Sequence, residues 1–231
     1  MKNLIPFGEI MLRLSPAGFL RITQTPTFEV SFGGAEANVA ASLAKFGLPA
    51  EFVTRLPNND LGETCLAYLR RYGIGTHHIL RGGDRLGIYY LESGAAQRGS
   101  KVVYDRAGSA AATIQPGMVD WKAVFDGAGW FHTTGITPAI SGSAAEAAIE
   151  AVQAAHAQGL TVSCDMNYRK NLWKWGKKAN EVMPELFRWC DVAVGNEEDA
   201  KDVFGIEAPE ADITAGKVES GSYRYVCEKL A

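Results

Sequence analysis

The sequence predicts an α/β fold in which helices flank a mostly parallel sheet and a small β lid lies over it. Strand-like and helix-like runs alternate along the chain. The helical runs stop at glycines, and two β-rich stretches interrupt the alternation. With 231 residues, 47% of them apolar, the chain can form one large domain, or a domain with a small appendage.

Taken in order, residues 4–14 read as a first strand. Residues 35–46 read as a helix with Val39, Ala40, Leu43 and Phe46 on one face and Gly47 as its stop. Residues 51–56 form the next expected strand. Residues 61–72 give a helix whose stripe is Leu61, Cys65, Leu69 and Tyr72, closed by Gly73. The alternation resumes with a strand at 130–134. Ser143-Ala144-Ala145-Glu146 has the pattern of a capping box opening a helix that ends at Gly159. Strands follow at 160–165 and 191–195, and Asn196 can cap the helix after the second. Residues 207–222 read as a loop before a last short helix, and the strand expected next in the alternation does not follow.

The interruptions lie at residues 15–32 and 84–106. The first holds Phe19, Ile22, Phe28, Val30 and Phe32; the second holds Ile88, Tyr89, Tyr90, Leu91, Val102, Val103 and Tyr104 around a Gly/Ser-rich turn. Either they pair in a lid, or they are edge strands of the main sheet. The lid reading divides the chain into a core of residues 1–14, 33–83 and 107–231 and a lid of 15–32 and 84–106. Apolar residues on both sides of the turns would seek a partner, so a homodimer through the lids is expected.

Composition narrows the function classes. The net charge of −3, with both signs interspersed, gives no electrostatic reason to expect nucleic acid or an anionic membrane as partner. The four cysteines, Cys65, Cys164, Cys190 and Cys227, form no C-x-x-C pair and read as buried free thiols of a reducing compartment. The N-terminus has no signal-type apolar region, and no run approaches the ~18 apolar residues of a membrane span. A cytoplasmic protein is expected.

Four strings carry chemistry. Gly33-Gly34-Ala35-Glu36-Ala37-Asn38 joins a β segment to a helix start, where free N–H groups favour polar or anionic ligands and Asn38 can both donate and accept. A plain turn would use the same glycines. Asp165-Met166-Asn167-Tyr168-Arg169 follows a strand at its carboxyl end, where ligands bind in open α/β sheets. If extended, it would place Asp165, Asn167 and Arg169 on one side; the alternative is a surface Asp–Arg pair. Tyr104-Asp105-Arg106 offers an aromatic ring and a guanidinium fork on one face, or else packing by Tyr104 beside a solvated Arg106. Asn196-Glu197-Glu198-Asp199 suits magnesium and phosphate support, or simply an N-capped acidic helix start.

Together these strings resemble the PfkB, ribokinase-like sugar kinases. The pattern G-G-x-x-x-N-x-A-x-x-x-A-x-x-G runs from Gly33 to Gly47, and 54–62 continues in the family's manner. D-x-N-x-R-x-x-L-W, from Asp165 to Trp173, resembles the stretch shared by ketodeoxygluconate kinases and bacterial fructokinases. The resemblance implies a three-layer core with a lid, ATP and Mg²⁺ as cofactors, and phosphorylation of 2-keto-3-deoxygluconate to its 6-phospho product. It also implies substrate contacts at Gly33, Gly34, Asn38, Tyr89, Tyr104, Arg106, Ile136 and Arg169. Magnesium and phosphate support falls to Asp165, Asn167, Asn196 and Asp199, although the family's fourth position there is Glu rather than Asp.

Arg13 stands about where many family members carry a hydroxyl-binding Asp. Together with Arg106 and Arg169, this favours a sugar acid over a neutral hexose. A fructokinase and a truncated, non-catalytic sugar-acid-binding protein are the alternatives. The family's glycine-rich D-T-x-G-A-G-D string, which ends in the general base, is not found. That base is expected beyond Ala231, in roughly another third of the family's length, and residues 1–231 alone are expected to be inactive. Thr214-Ala215-Gly216-Lys217 fails the P-loop pattern, since Ala211 and Val218 stand where Gly and Ser/Thr are needed.

Overall fold

The computed structural model describes residues 2–207 and 220–230. Its core sheet is built from β1 (Asn3–Pro6), β8 (Ala128–Thr134), β9 (Thr161–Asp165) and β10 (Val192–Val194), in the order β1-β8-β9-β10 and parallel throughout. Single parallel bridges from Leu4 to Ala50 and from Phe7 to Val53 continue the sheet toward β4 (Arg55–Leu56) and β5 (Leu80–Arg81), which pair parallel.

Helices cover both faces. Phe52 and Val53 are adjacent and both fully buried, so they point to opposite sides of their extended segment. Phe52 packs into a cluster with Ala37 and Ala40 of α1 (Ala35–Lys45) and Cys65, Leu66 and Leu69 of α2 (Asp60–Arg71). Val53 joins Ile5, Phe7, Phe131 and Val162 against α3 (Trp121–Val124), the short α4 (Ile136–Ile140), α5 (Gly142–Ala157) and α6 (Ala179–Phe187). Ala144, Ala147, Ala148, Ala151 and Ala155 of α5 are fully buried, which lets this helix lie close on the strands. The result is a three-layer α/β core.

A second sheet is separate from the core sheet and is called the lid below. It runs β3-β2-β6-β7, from β3 (Glu29–Gly33), β2 (Met11–Ser15), β6 (Ile88–Glu92) and β7 (Lys101–Asp105). Both β-rich interruptions therefore pair in one sheet. The expected first strand, however, is two strands. The Pro6–Gly8 stretch ends β1, and β2 leaves the core to become an inner strand of the lid, antiparallel to β3 and parallel to β6. Residues 11–14 thus sit in the lid sheet rather than in the core. Between residues 15 and 29 the chain is a surface connection with a short 3-10 turn at Ile22–Gln24 that buries nothing.

Other boundaries move slightly. Ser141, not Ser143, caps α5: its backbone is extended and its Oγ accepts the Ala144 N–H at 3.0 Å, while the Ser143 hydroxyl turns to the Ala112 carbonyl. Asn59 caps α2 by accepting the Gly62 N–H. The helix after β10 is α7 (Glu197–Phe204), capped by Asn196 as expected. The last helix, α8, spans Ser220–Leu230; most of the expected loop before it, including the 214–217 string, lies outside the described residues. Cys65 and Cys164 are buried and free, Cys190 is half-buried, and Cys227 is exposed, against expectation. No helix among the described residues is long and apolar enough to cross a membrane.

Candidate functional site

A cavity of about 200 Å³ opens between the lid and the carboxyl ends of β1, β8 and β9. All eight residues expected to contact substrate line it: Gly33, Gly34, Asn38, Tyr89, Tyr104, Arg106, Ile136 and Arg169. Asn167 lines it too. Glu9, Met11, Ala35 and Glu36 complete the wall and were not read from the sequence as contacts.

The glycine pair is needed for close approach rather than for unusual backbone angles. Gly34 is extended, with φ −167°, and serves as the N-cap of α1. A Cβ on Gly33 would lie 2.5 Å from the Tyr89 hydroxyl, and one on Gly34 would collide with the Glu9 carbonyl oxygen. Where α1 begins, Gly34 meets backbone and can carry no side chain, whereas a side chain at Gly33 would require the Tyr89 ring to move. Tyr89 and Tyr104 face each other across β6 and β7, their ring centroids 6.0 Å apart. The Arg106 guanidinium sits 5.4 Å from the Tyr104 ring, within cation–π range.

Arg106 is not free. Its Nε donates to Glu9 Oε2 at 2.8 Å, and its Nη2 donates to the same oxygen. Ser109 Oγ donates to Glu9 Oε1 at 2.5 Å. The Glu9 side chain is 1% exposed and that of Arg106 11%, so the pair is nearly dry. Arg169, by contrast, is exposed and bonds only the neighbouring Tyr168 carbonyl among the described residues. Arg13 lies outside the wall, paired in register with Tyr89, and its Nε donates to Ser15.

Glu36 sits on the first turn of α1, fully buried beneath Gly8. Thr134 and Thr137 donate hydroxyls to its Oε1 at 2.7 and 3.1 Å. Burial nonetheless outweighs these bonds and pushes its carboxyl up to about 7, with the nearby Glu9 adding to the rise.

The stretch after β9 departs from the expected extended form. Asn167 has φ 39°, a left-handed turn. It brings Asn167 and Arg169 to the cavity but leaves Asp165 off its wall. Asp165 accepts the Asn167 N–H at 3.0 Å, and burial holds its carboxyl above the usual carboxylate range. Asn196 and Asp199 form the capping box of α7. Asn196 Oδ1 accepts the Asp199 N–H at 2.8 Å, while Asp199 accepts the N–H groups of Asn196 and Tyr168.

Among the described residues no group of three or more His, Cys, Asp or Glu side chains is placed to hold a metal alone. Magnesium bound chiefly through substrate phosphates needs only one or two carboxylates. Asp165 fits that lesser demand, and Asp199 is largely committed to backbone. His132 bonds Ser163 Oγ at 2.9 Å and is kept neutral-leaning by burial. Outside the cavity a wider cleft of about 520 Å³ shares Tyr104, Arg106, Ile136 and Arg169 and adds Lys170 and Lys174.

Known proteins are similar to this chain in sequence and fold. The solved 2-dehydro-3-deoxygluconokinase of Thermotoga maritima is 46% identical and superposes with a TM-score of 0.92, over 100% of this chain and 68% of its own. The 2-dehydro-3-deoxygalactonokinase of Haloferax volcanii is 37% identical over 89% of this chain, and the 2-dehydro-3-deoxygluconokinase of Thermoproteus tenax is 28% identical over 91%. The chain spans 64% of the length of each of these two relatives. The profile of the pfkB family of carbohydrate kinases matches residues 1–222. With the two-sheet architecture and the lined cavity, that match makes the chain a member of the pfkB carbohydrate kinase family.

Proposed function

We propose that the protein carrying this chain transfers the γ-phosphoryl group of ATP to 2-keto-3-deoxygluconate, giving the 6-phospho product and ADP. The observation that carries the reading is the cavity wall: two arginines, two lid tyrosines and Asn38 converge on one small space at the carboxyl ends of the core strands. A neutral hexose would leave the exposed Arg169 guanidinium and the unused Nη1 of Arg106 without the anionic acceptor that a carboxylate supplies. The names of the Thermotoga, Haloferax and Thermoproteus relatives support a ketodeoxy sugar acid.

In this reading Arg106 and Arg169 grip the carboxylate from the lid and core sides. Asn38 and the tyrosines bind hydroxyls, and Ile136 packs beside the carbon chain. The lid keeps water from the reacting hydroxyl. Asp165 would support Mg²⁺, which when bound would offset the charge of the ATP phosphates, and Lys170 and Lys174 give the outer cleft a basic lining. The acceptor's proton passes to a general base that the family resemblance puts beyond Ala231. We also propose a homodimer through the lid, on which Val30, Val102 and Val103 are exposed.

The test is steady-state kinetics of the intact protein with ATP and Mg²⁺ on 2-keto-3-deoxygluconate, its galactonate epimer and fructose. Two charge-assisted contacts should favour the sugar acids in kcat/KM by about 100-fold or more. A preference for fructose would move the assignment to a fructokinase. Binding without turnover would support the non-catalytic alternative.

A further inference from the structure

Glu9 has no role in the reading above, yet its carboxylate accepts three side-chain hydrogen bonds at the cavity wall. It lies in the connection between β1 of the core and β2 of the lid, and its partner Arg106 immediately follows β7, where the chain returns from the lid. One Glu9 oxygen takes the Nε and Nη2 of Arg106; the other takes the Ser109 hydroxyl, which itself accepts the Ala112 N–H at 3.2 Å. Gly87 makes room for the pair: a Cβ there would stand 2.8 Å from Glu9 Oε1 and 3.0 Å from Met11 Cγ.

A guanidinium has two edges that can grip a carboxylate, the side formed by Nε and Nη2 and the end formed by Nη1 and Nη2. Glu9 occupies the side. What remains is the end, whose Nη1 makes no hydrogen bond among the described residues. The charge is fixed as well as the direction, because a buried Glu–Arg pair is neutral overall. Arg106 is then a donor of fixed geometry rather than a loose positive charge, and Arg169 is left as the uncompensated cation of the wall.

We propose that Glu9 is a positioning and specificity-determining residue. It turns Arg106 so that only the end-on fork faces the ligand, and it cancels the charge that would otherwise attract any compact anion. Selection for a planar carboxylate then comes from fork geometry, not from net charge. This rests on the reading of the cavity as a sugar-acid site.

The experiment is calorimetric titration of the intact protein, wild type and variants, with 2-keto-3-deoxygluconate, fructose and inorganic sulfate. The quantity read is the ratio of the sulfate Kd to the sugar-acid Kd. Glu9→Gln releases the fork and adds a net positive charge, so the ratio should fall by about 10-fold or more. Arg106→Lys keeps the charge pair but removes the fork, and should lower the ratio through the sugar acid alone. In an Arg106→Met background Glu9→Gln should leave the ratio unchanged, because Glu9 acts through Arg106.

If Glu9→Gln does not fold, the lysine variant decides. A ratio unmoved by a folded Glu9→Gln variant, or by Arg106→Lys, overturns the inference. So does an effect of Glu9→Gln that persists without Arg106. A wild-type intact protein that binds fructose as well as the sugar acid, or binds neither, sinks the functional reading itself, and the inference falls with it.

Discussion

Two arginines reach one cavity from opposite regions of the molecule and are held in opposite ways. Arg106, just after the lid strand β7, is nearly buried, ion-paired to Glu9 and within cation–π range of Tyr104. Arg169, on the turn after β9, is exposed and bonds only a neighbouring carbonyl among the described residues. A buried charge whose partner is removed leaves an uncompensated ion in a dry site, whereas an exposed one is simply hydrated. The lid-side arginine therefore ties ligand recognition to stability, and the core-side arginine does not.

The largest effect should come from breaking the buried pair on one side. Arg106→Ala strands Glu9 and should cost about 3–5 kcal/mol of unfolding free energy, read by urea titration. Glu9→Gln combined with Arg106→Met should recover most of that loss. A single alanine variant as stable as wild type would erase the contrast.

The same contrast divides the two buried acids. Glu9 has a cation, whereas Glu36 has only hydroxyl donors and a backbone contact, and burial raises its carboxyl from 4.5 to about 7. The folded state therefore favours the protonated form. Its contribution is complete below about pH 4.5 and is lost as pH rises through about 7. Urea midpoints should fall between pH 5 and pH 8, by an amount of order 3 kcal/mol at most. Glu36→Gln should flatten that slope; an unaltered slope would assign the dependence to other groups.

For Arg169 the expected loss is in binding alone. Arg169→Ala should weaken 2-keto-3-deoxygluconate binding by roughly 10- to 150-fold, the worth of one charge-assisted contact. It should leave the unfolding free energy within about 0.5 kcal/mol of wild type. A matching loss of stability would mean that Arg169 holds the fold, and the two arginines would no longer differ.

The smallest effect concerns a cap that the sequence pattern misplaced. Ser141→Ala should destabilise by about 1 kcal/mol and Ser143→Ala by less, since the Ser141 Oγ meets the first-turn N–H of α5.

That misplacement shows what a linear pattern carries. Ser-x-Ser offers two candidate caps, and only the extended backbone at Ser141 decides between them. The lid was legible in β6 and β7 because aromatic and β-branched residues cluster there around a Gly/Ser turn. Strand β2 was not, because the apolar run from Leu4 to Leu14 looks continuous, and Pro6-Phe7-Gly8 is a weak mark for a change of sheet. Six of the eight residues now on the cavity wall lie in strings with fixed spacing; Tyr89 and Ile136 came only from the positions that the family resemblance implies. Glu9 came from none: its partner is 97 residues away, and pairing at that distance leaves no local trace. A lone acid inside an apolar run was the only available signal.

The fit of Gly33 against Tyr89 bears on how such a site can evolve. The tyrosine hydroxyl already fills the space where a side chain at 33 would begin. Position 33 can therefore gain even a methyl only after position 89 has given up its hydroxyl or turned away. Changes of substrate range along this wall are then ordered rather than independent. A mutational library that varies these positions singly will miss the combinations that remain open.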